Sequence, residues 1–276
     1  MNENSKPKLL KLALYLLSVV VMILIMIHFY KLMPESPYEL LVESIVISVV
    51  TLVFLYLISG KKTFQTMFRQ TGYVVKTLFP NLIFPLLFFF MGLFTLFDDK
   101  PALEDGWVMK LVLFFVCMML VGIYEEACYR CCACDALLPL FKKTRHPFLW
   151  TSLISGLIFG YVHVSGADFS DPQQVLQFAL KIANLALTSA TFMFVYWKTR
   201  NLFGMALVHG LNDFLPSFLD EIFAFKGMDD SASYTTGDTG TTIVYLVQLA
   251  FQLAVFIGVY RKVWKTIDKE KTLEEW

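Results

Sequence analysis

Long apolar runs separated by short polar breaks cover most of the chain. A bilayer core of about 30 Å needs about 20 apolar residues in a helix. The apolar runs that meet or approach this length predict an all-α fold, a polytopic membrane helix bundle with about eight transmembrane helices. In chain order, these spans are expected at about 9–30, 39–59, 73–97, 107–138, 148–164, 175–197, 202–219 and 242–263.

The composition agrees with a membrane protein. Hydrophobic residues make up 57% of the 276 residues and charged residues only 17%. This composition has too few charged side chains to cover the surface of a soluble domain. The 23 basic and 23 acidic residues balance, so no net charge attracts nucleic acid and no nucleic-acid partner is expected. The five cysteines lack the spacing of a disulfide framework and are expected to be thiols. The whole chain, 1–276, is expected to form a single integral membrane domain in contact with the lipid bilayer.

Basic side chains are sorted between alternate connections of the predicted helices. One set of connections holds the basic clusters at 6–11, 61–76, 142–145, 198–200 and 261–265. The other set holds only Lys31, Lys100 and Lys226, among many acidic residues. Because cytoplasmic loops collect lysine and arginine, both termini are predicted to be cytoplasmic. The expected location is the cell membrane, with several passes.

Three charges interrupt the fourth apolar run. Glu125, Glu126 and Arg130 lie within it, although a charged side chain at the centre of a membrane helix costs roughly 2.5–3.5 kcal/mol. Ionisable residues inside a membrane are therefore interpreted first as functional. Glu126 and Arg130 are four residues apart and share a helix face. Arg130 is thus expected to neutralise Glu126 and to leave Glu125 free.

Further polar side chains lie within other predicted spans. His163 lies in the fifth span, and His209 with Asp213 lies in the seventh. His209 and Asp213 are four residues apart and share a face, as do Phe159 and His163. A carboxylate can act as a general base toward water, and an imidazole can orient that water or donate to a developing oxyanion. Together these groups are predicted to hydrolyse an amide bond.

Simpler interpretations of the same residues stay open. The charges can form a structural ion network, and the histidines can form hydrogen bonds between helices. Glu125, His163 and His209 also make a two-histidine, one-carboxylate metal set. A metal is nevertheless not expected, because the His-Glu-x-x-His helix of metalloproteases is missing from the sequence.

The polar positions resemble the three motifs of a known family. Glu-Glu-x-x-x-Arg at 125–130, Phe-x-x-x-His at 159–163 and His-x-x-x-Asp at 209–213 are similar in order, spacing and placement to those of type II CAAX prenyl endopeptidases and bacteriocin-processing proteins. These are glutamic intramembrane proteases related to the Ras-converting enzyme. The resemblance covers about 125–213, inside a motif-bearing core expected at about 107–219.

The resemblance implies an enzyme, an intramembrane endopeptidase that cleaves a membrane-associated or lipidated peptide without cofactor or metal. It implies that Glu125 activates the attacking water with help from His163, and that His209 and Asp213 bind the oxyanion. The supporting residues that it implies are Glu126, Arg130, Phe159 and Asn212. A bacterial plasma membrane is the expected location.

Residue 213 departs from the eukaryotic form of the motif, which has asparagine there. An ionised Asp213 would repel an oxyanion. Asp213 is therefore expected to be protonated, or to orient His209 through a hydrogen bond, or to leave the donor role to Asn212. The sequence leaves these three roles open.

Two functions other than proteolysis are compatible with the same pattern. The scaffold can serve as a non-catalytic membrane partner, in bacteriocin immunity or in the regulation of a sensor kinase. Buried carboxylates and histidines also relay protons in transporters. Many such transporters are built from internal repeats, and the sequence shows no symmetry of that kind.

Small residues recur at four-residue spacing in two predicted spans. Ser152, Gly156 and Gly160 form such a face in the fifth span, and Ala206 with Gly210 forms one in the seventh. Side chains of this size let membrane helices approach closely. Both faces are predicted to pack tightly against neighbouring helices.

Overall fold

A computed structural model describes residues 6–29, 38–164, 166–224 and 235–275 of the chain. Nearly all of these residues are helical, because a backbone in hydrocarbon must satisfy its hydrogen bonds within the segment. The helices are α1 (Lys6–Phe29), α2 (Glu39–Ser59), α3 (Lys61–Thr66), α4 (Thr71–Leu78), α5 (Ile83–Asp99), α6 (Trp107–Glu126), α7 (Ala133–Phe141), α8 (Pro147–Val162), α9 (Pro172–Thr199), α10 (Leu202–Ile222), α11 (Thr239–Val263) and α12 (Lys269–Glu275).

Short elements join some of these helices. A π-helical turn, Ala127–Cys132, connects α6 to α7, and 3-10 turns follow α4 at Phe79–Leu82 and α11 at Trp264–Thr266. Two strands of two residues each, β1 (Ala102–Leu103) and β2 (Phe223–Ala224), pair in antiparallel fashion.

Seven helical stretches of the described chain are long and apolar enough to cross a membrane. They match seven of the eight predicted spans, so the all-α polytopic fold is confirmed. The remaining span, predicted at 148–164, is α8, which is apolar but only 16 residues long. The side on which the termini lie stays a prediction, and Lys31 and Lys226, on which it partly depends, lie outside the described residues.

The chain divides into two compact units. In the first, Met1–Ala136 with Thr199–Met228, α10 packs along α6, α6 packs against α2, and α2 contacts α1. In the second, Leu137–Lys198 with Asp229–Trp276, α9 contacts α8 and α11. The single membrane domain expected over the whole chain stays a prediction.

The small-residue face predicted in the fifth span is confirmed in the second unit. A Cβ atom added at Gly156 would lie 3.0 Å from Ala186 Cα, and one added at Gly160 would lie 3.1 Å from Ile182 Cα. The backbones of α8 and α9 therefore touch at these glycines. Ser152, on the same face, is buried.

A buried asparagine holds the start of α10 in the first unit. Asn201 Oδ1 accepts the Gly204 N–H at 2.6 Å, an N-cap that satisfies one of the first backbone donors of the helix. Asn201 Nδ2 donates to Arg69 O at 2.6 Å and to Thr71 Oγ1 at 3.0 Å. The first turn of α10 is thereby attached to the connection between α3 and α4.

Candidate active site

The acidic pair ends α6 at the point where the hydrogen-bonding pattern of the helix changes. The Ala133 N–H donates to Cys128 O, five residues back, within the π-helical turn. Such turns are rare and occur frequently at functional sites. Hydrophobic periodicity describes a uniform α-helix, so the sequence does not predict this turn.

Glu126 joins two basic side chains. Its Oε2 lies 3.4 Å from Arg130 Nε, as the four-residue spacing predicts, and its Oε1 accepts a hydrogen bond from His209 Nδ1 at 2.7 Å. Glu126 and Arg130 are both 0% exposed, and buried ions are stable only when other groups replace their hydration. Because a carboxylate only accepts hydrogen bonds, Nδ1 of His209 must carry the hydrogen that Glu126 accepts.

The other ring nitrogen of His209 faces two carboxylates. His209 Nε2 lies 3.3 Å from Glu125 Oε2 and 3.5 Å from Asp213 Oδ2. The expectation that Glu125 is left free is therefore wrong, because α10 brings His209 against it. The Asp213 side chain is 31% exposed and that of Glu125 is 8% exposed, so the more accessible of the two is Asp213.

Asn212 contacts the same aspartate. Its Nδ2 donates to Asp213 Oδ1 at 3.4 Å, so the Asp213 carboxylate lies between an amide and His209. This placement is compatible with a protonated Asp213, with an Asp213 that orients His209, and with a donor role for Asn212. The choice among these roles stays a prediction.

Two glycines determine the close approach of α6 and α10. A Cβ atom at Gly122 would lie 2.2 Å from Ala206 O, and one at Gly210 would lie 2.6 Å from Met118 O. The two backbones therefore touch, which confirms the small-residue face predicted at Ala206 and Gly210. Gly122 was not among the predicted small residues, and its signal in the sequence is its position four residues before Glu126, on the same side of the helix.

His163 lies in the second unit, directly after α8. It was predicted inside the fifth span, but α8 ends at Val162 and His163 is its C-cap. The His163 N–H bonds to Gly160 O, three residues back, and such tightening is common in a last turn. His163 Nδ1 donates to Phe159 O at 2.7 Å, and the two rings lie 4.3 Å apart. The shared face of this motif is confirmed, whereas the role of His163 beside Glu125 stays a prediction.

Four cysteines crowd the π-helical turn and the start of α7. All four are thiols, as the sequence predicts, and all four are 0% exposed: Cys128, Cys131, Cys132 and Cys134. Cysteines buried in this way behave as small apolar side chains. Among the described residues, no group of three or more histidine, cysteine or acidic side chains has the geometry to hold a metal ion.

The membrane helices and the motifs agree with a comparison against protein families. Residues 107–215 match the family model described as Rce1-like, type II CAAX prenyl endopeptidase. No curated protein and no solved structure gives a significant match to the chain. The matched region contains all three sequence motifs and most of the helices that carry them. Together with the seven long apolar helices, the match makes the chain a multi-pass membrane protein. Over residues 107–215, the chain is therefore similar to the Rce1-like family of type II CAAX prenyl endopeptidases.

Proposed function

We propose that the chain is an intramembrane endopeptidase that hydrolyses a peptide bond in a membrane-associated or lipidated peptide. The observation that supports this best is the placement of Glu125 Oε2 3.3 Å from His209 Nε2 within membrane helices of the first unit. A carboxylate beside an imidazole provides a base for water and a donor for an oxyanion in one place. The proposed location is a bacterial plasma membrane.

The reaction begins with a water molecule beside Glu125. The carboxylate takes a proton from the water as the water oxygen attacks the substrate carbonyl carbon, and the carbonyl oxygen becomes negatively charged. His209 Nε2–H donates to this oxyanion. When the tetrahedral intermediate collapses, the C–N bond breaks and the proton on Glu125 passes to the leaving amine. The net result adds one water across the peptide bond and restores the carboxylate.

Glu126 and Arg130 act through His209. Glu126 accepts from Nδ1, so the ring can donate from Nε2 only when it carries both hydrogens. The buried carboxylate beside the ring stabilises that charged form, and Arg130 keeps the carboxylate in place at 3.4 Å. In this proposal, His163 holds the water and Asp213 or Asn212 assists at the oxyanion, as the family resemblance implies.

The proposal is tested by peptide cleavage in proteoliposomes. The substrates are farnesylated and unmodified peptides that end in Cys-aliphatic-aliphatic-X. Glu125→Gln keeps the shape of the side chain but cannot act as a base, so we expect its cleavage rate to fall at least about 100-fold, and that of His209→Ala to fall similarly. Both variants are compared at equal membrane abundance.

Glu104→Gln is the matched control. Glu104 forms an exposed ion pair with Lys110 at 3.2 Å, so its loss is expected to leave cleavage unchanged. Full cleavage activity in Glu125→Gln would refute the proposed mechanism, whereas no cleavage by the native chain would move the function to binding or regulation.

A further inference from the structure

A further charged side chain lies inside a membrane span, in the second unit. Lys181 is the tenth residue of the 28-residue helix α9, so at 1.5 Å per residue it lies about 13 Å from the start of the helix. Lys181 gives little signal in the sequence, because one lysine hardly lowers the hydropathy of a long span. An ionisable residue at this depth is costly and marks a functional position by default.

Lys181 belongs to a line of polar side chains between α9 and α11. On each helix these residues recur every three or four positions and therefore share one face. We call them the polar seam: Gln173, Gln177, Lys181 and Asn184 on α9, and Thr242, Tyr245 and Gln248 on α11. The seam lies entirely within the second unit.

The seam begins with a closed hydrogen-bond network where both helices start. Gln173 Nε2 and Gln177 Nε2 donate to Thr242 Oγ1 at 3.0 and 3.1 Å. Gln177 Nε2 also donates to Asp238 O at 2.8 Å, and Gln177 Oε1 accepts the Gly237 N–H at 3.0 Å. Because Gln177 is 0% exposed, this end of the seam joins the two helices and offers no room for a ligand.

The seam becomes more open around Lys181. The ammonium lies 5.5 Å from the centre of the Tyr245 ring, a cation–π distance, and Asn184 Nδ2 donates to Gln248 Oε1 at 3.3 Å. Lys181, Asn184 and Gln248 are half-buried. Part of each residue is therefore exposed, in a span where hydrocarbon chains offer no hydrogen bond.

We propose that Lys181, Asn184 and Gln248 bind the carboxylate head of a membrane amphiphile. The ammonium supplies a positive charge, and the ammonium and the two amides carry N–H donors. A single ammonium with two amides matches a singly charged carboxylate, whereas bidentate recognition of phosphate favours the planar guanidinium of arginine. The apolar tail lies along the exposed apolar side chains of α11, such as Val244 and Val247.

Two kinds of molecule carry this head group on an apolar chain. One is a free fatty acid, and the other is the free C-terminus of a lipidated peptide. The binding site does not depend on the proposed protease activity, because Glu125 and His209 lie in the other compact unit. Glu125→Gln is therefore expected to bind the amphiphile like the native chain.

The test is equilibrium binding of radiolabelled palmitate to the full-length protein in detergent. We expect Lys181→Met to weaken binding at least about tenfold, because a hydrogen bond to a charged group is lost. Lys181→Arg is expected to retain binding within about threefold, since it keeps the charge. Lys198→Met removes the same charge near the end of the same helix and is expected to bind palmitate normally.

Competing ligands identify the source of the carboxylate. Palmitate methyl ester is expected to compete at least about tenfold more weakly than palmitate, because it lacks the charge. A farnesylated peptide that competes better with a free than with an amidated C-terminus would identify the peptide as the ligand. Stronger competition by palmitate would identify the fatty acid.

Several results would overturn the site. They are unchanged palmitate binding in Lys181→Met, equal competition by the methyl ester, and tighter binding of phosphatidylglycerol than of either carboxylate. If Lys181→Met does not fold, judged by its unfolding temperature, Gln248→Leu serves in its place. That variant keeps the charge, removes one amide, and is expected to weaken binding about threefold.

Discussion

His209 is the residue at which the site converges. Its Nδ1 lies 2.7 Å from Glu126 Oε1, and its Nε2 lies within 3.5 Å of oxygens from Glu125 and Asp213. The His209 side chain is 11% exposed, so water screens these charges little. A change in any one carboxylate should therefore alter the charge and the orientation of the ring.

Glu126→Gln tests the buried part of this arrangement. Gln keeps the shape but removes the charge that both Arg130 and His209 contact, and breaking a buried ion pair from one side costs on the order of 3 kcal/mol. We expect this loss in the free energy of unfolding, measured in detergent, together with at least about tenfold slower cleavage.

The double variant Glu126→Gln, Arg130→Met separates stability from catalysis. It removes both buried charges, so it should recover much of the lost stability while cleavage stays slow because His209 is still misdirected. Recovery of activity along with stability would contradict a positioning role for Glu126.

Asp213→Asn tests the departure of this chain from the eukaryotic motif. An amide can donate directly to an oxyanion, so we expect Asp213→Asn to keep cleavage within about tenfold of the native rate. Asp213→Leu should lose more, because it removes both the charge and the hydrogen-bonding atoms near His209. The rates of both variants are measured with Asn212→Leu beside them, which reports whether the neighbouring amide is the donor.

At the residue scale, spacing along the chain predicts contacts within one helix but does not determine which atoms meet between helices. The four-residue spacing correctly pairs Glu126 with Arg130. It cannot show that Glu125 meets His209, because that contact depends on how α10 is aligned along α6. Chain spacing holds no information on that alignment.

At the scale of helices, the contact between α6 and α10 decides whether the site exists. Gly122→Ala places a Cβ atom 2.2 Å from the carbonyl oxygen of Ala206, and a backbone atom cannot rotate away as a side chain can. We expect a loss on the order of 2 kcal/mol in stability and slower cleavage although Glu125 and His209 are unchanged. Both are measured on the purified protein.

Gly72→Ala is the control for this substitution. Gly72 lies in α4 of the same unit, and a Cβ atom there has nothing within 4 Å. Alanine favours a helix over glycine by about 1 kcal/mol, so stability should be unchanged or slightly higher. Equal effects at both glycines would show that helix propensity, and not the close approach, explains the result.

The N-cap of α10 gives a second prediction at this scale. Asp and Asn cap helices equally well, yet Asn201→Asp would face the Arg69 carbonyl, 2.6 Å from the present amide nitrogen, with an acceptor. We expect Asn201→Asp to lower the free energy of unfolding by on the order of 2 kcal/mol. Asn201→Ser, which keeps a capping oxygen, should lose about half as much. Equal stability of the Asp variant and the native chain would contradict the attachment to Arg69.

The sequence predicts where the membrane helices lie but not their local irregularities or their ends. Run length and hydropathy identified seven spans, because a bilayer imposes nearly the same length on every crossing. The π-helical turn at Ala127–Cys132 and the end of α8 before His163 escaped the analysis, because both depend on individual backbone hydrogen bonds. The seam lysine escaped it because averaging over a window hides a single charge.

For the whole molecule, the number of membrane crossings depends on α8. The helix α8 has 16 residues, or about 24 Å of length, against a hydrocarbon core of about 30 Å. Its apolar character favours a crossing, which a thinned bilayer or an extended flank can accommodate. Eight crossings place both termini on the same side, and seven place them on opposite sides.

Cysteine labelling with a membrane-impermeant reagent distinguishes these cases. The native cysteines are all buried, so new exposed ones at Lys62, Lys100 and Lys271 report with little background. We expect Lys100→Cys to react in intact cells, and Lys62→Cys and Lys271→Cys to react only in inverted vesicles, because basic connections stay in the cytoplasm. Lys62 and Lys100 flank the span at Thr71–Phe97, so they must differ in any case. Reaction of Lys271→Cys but not of Lys62→Cys in intact cells would mean that α8 does not cross, and reaction of Lys62→Cys there would reverse the predicted orientation.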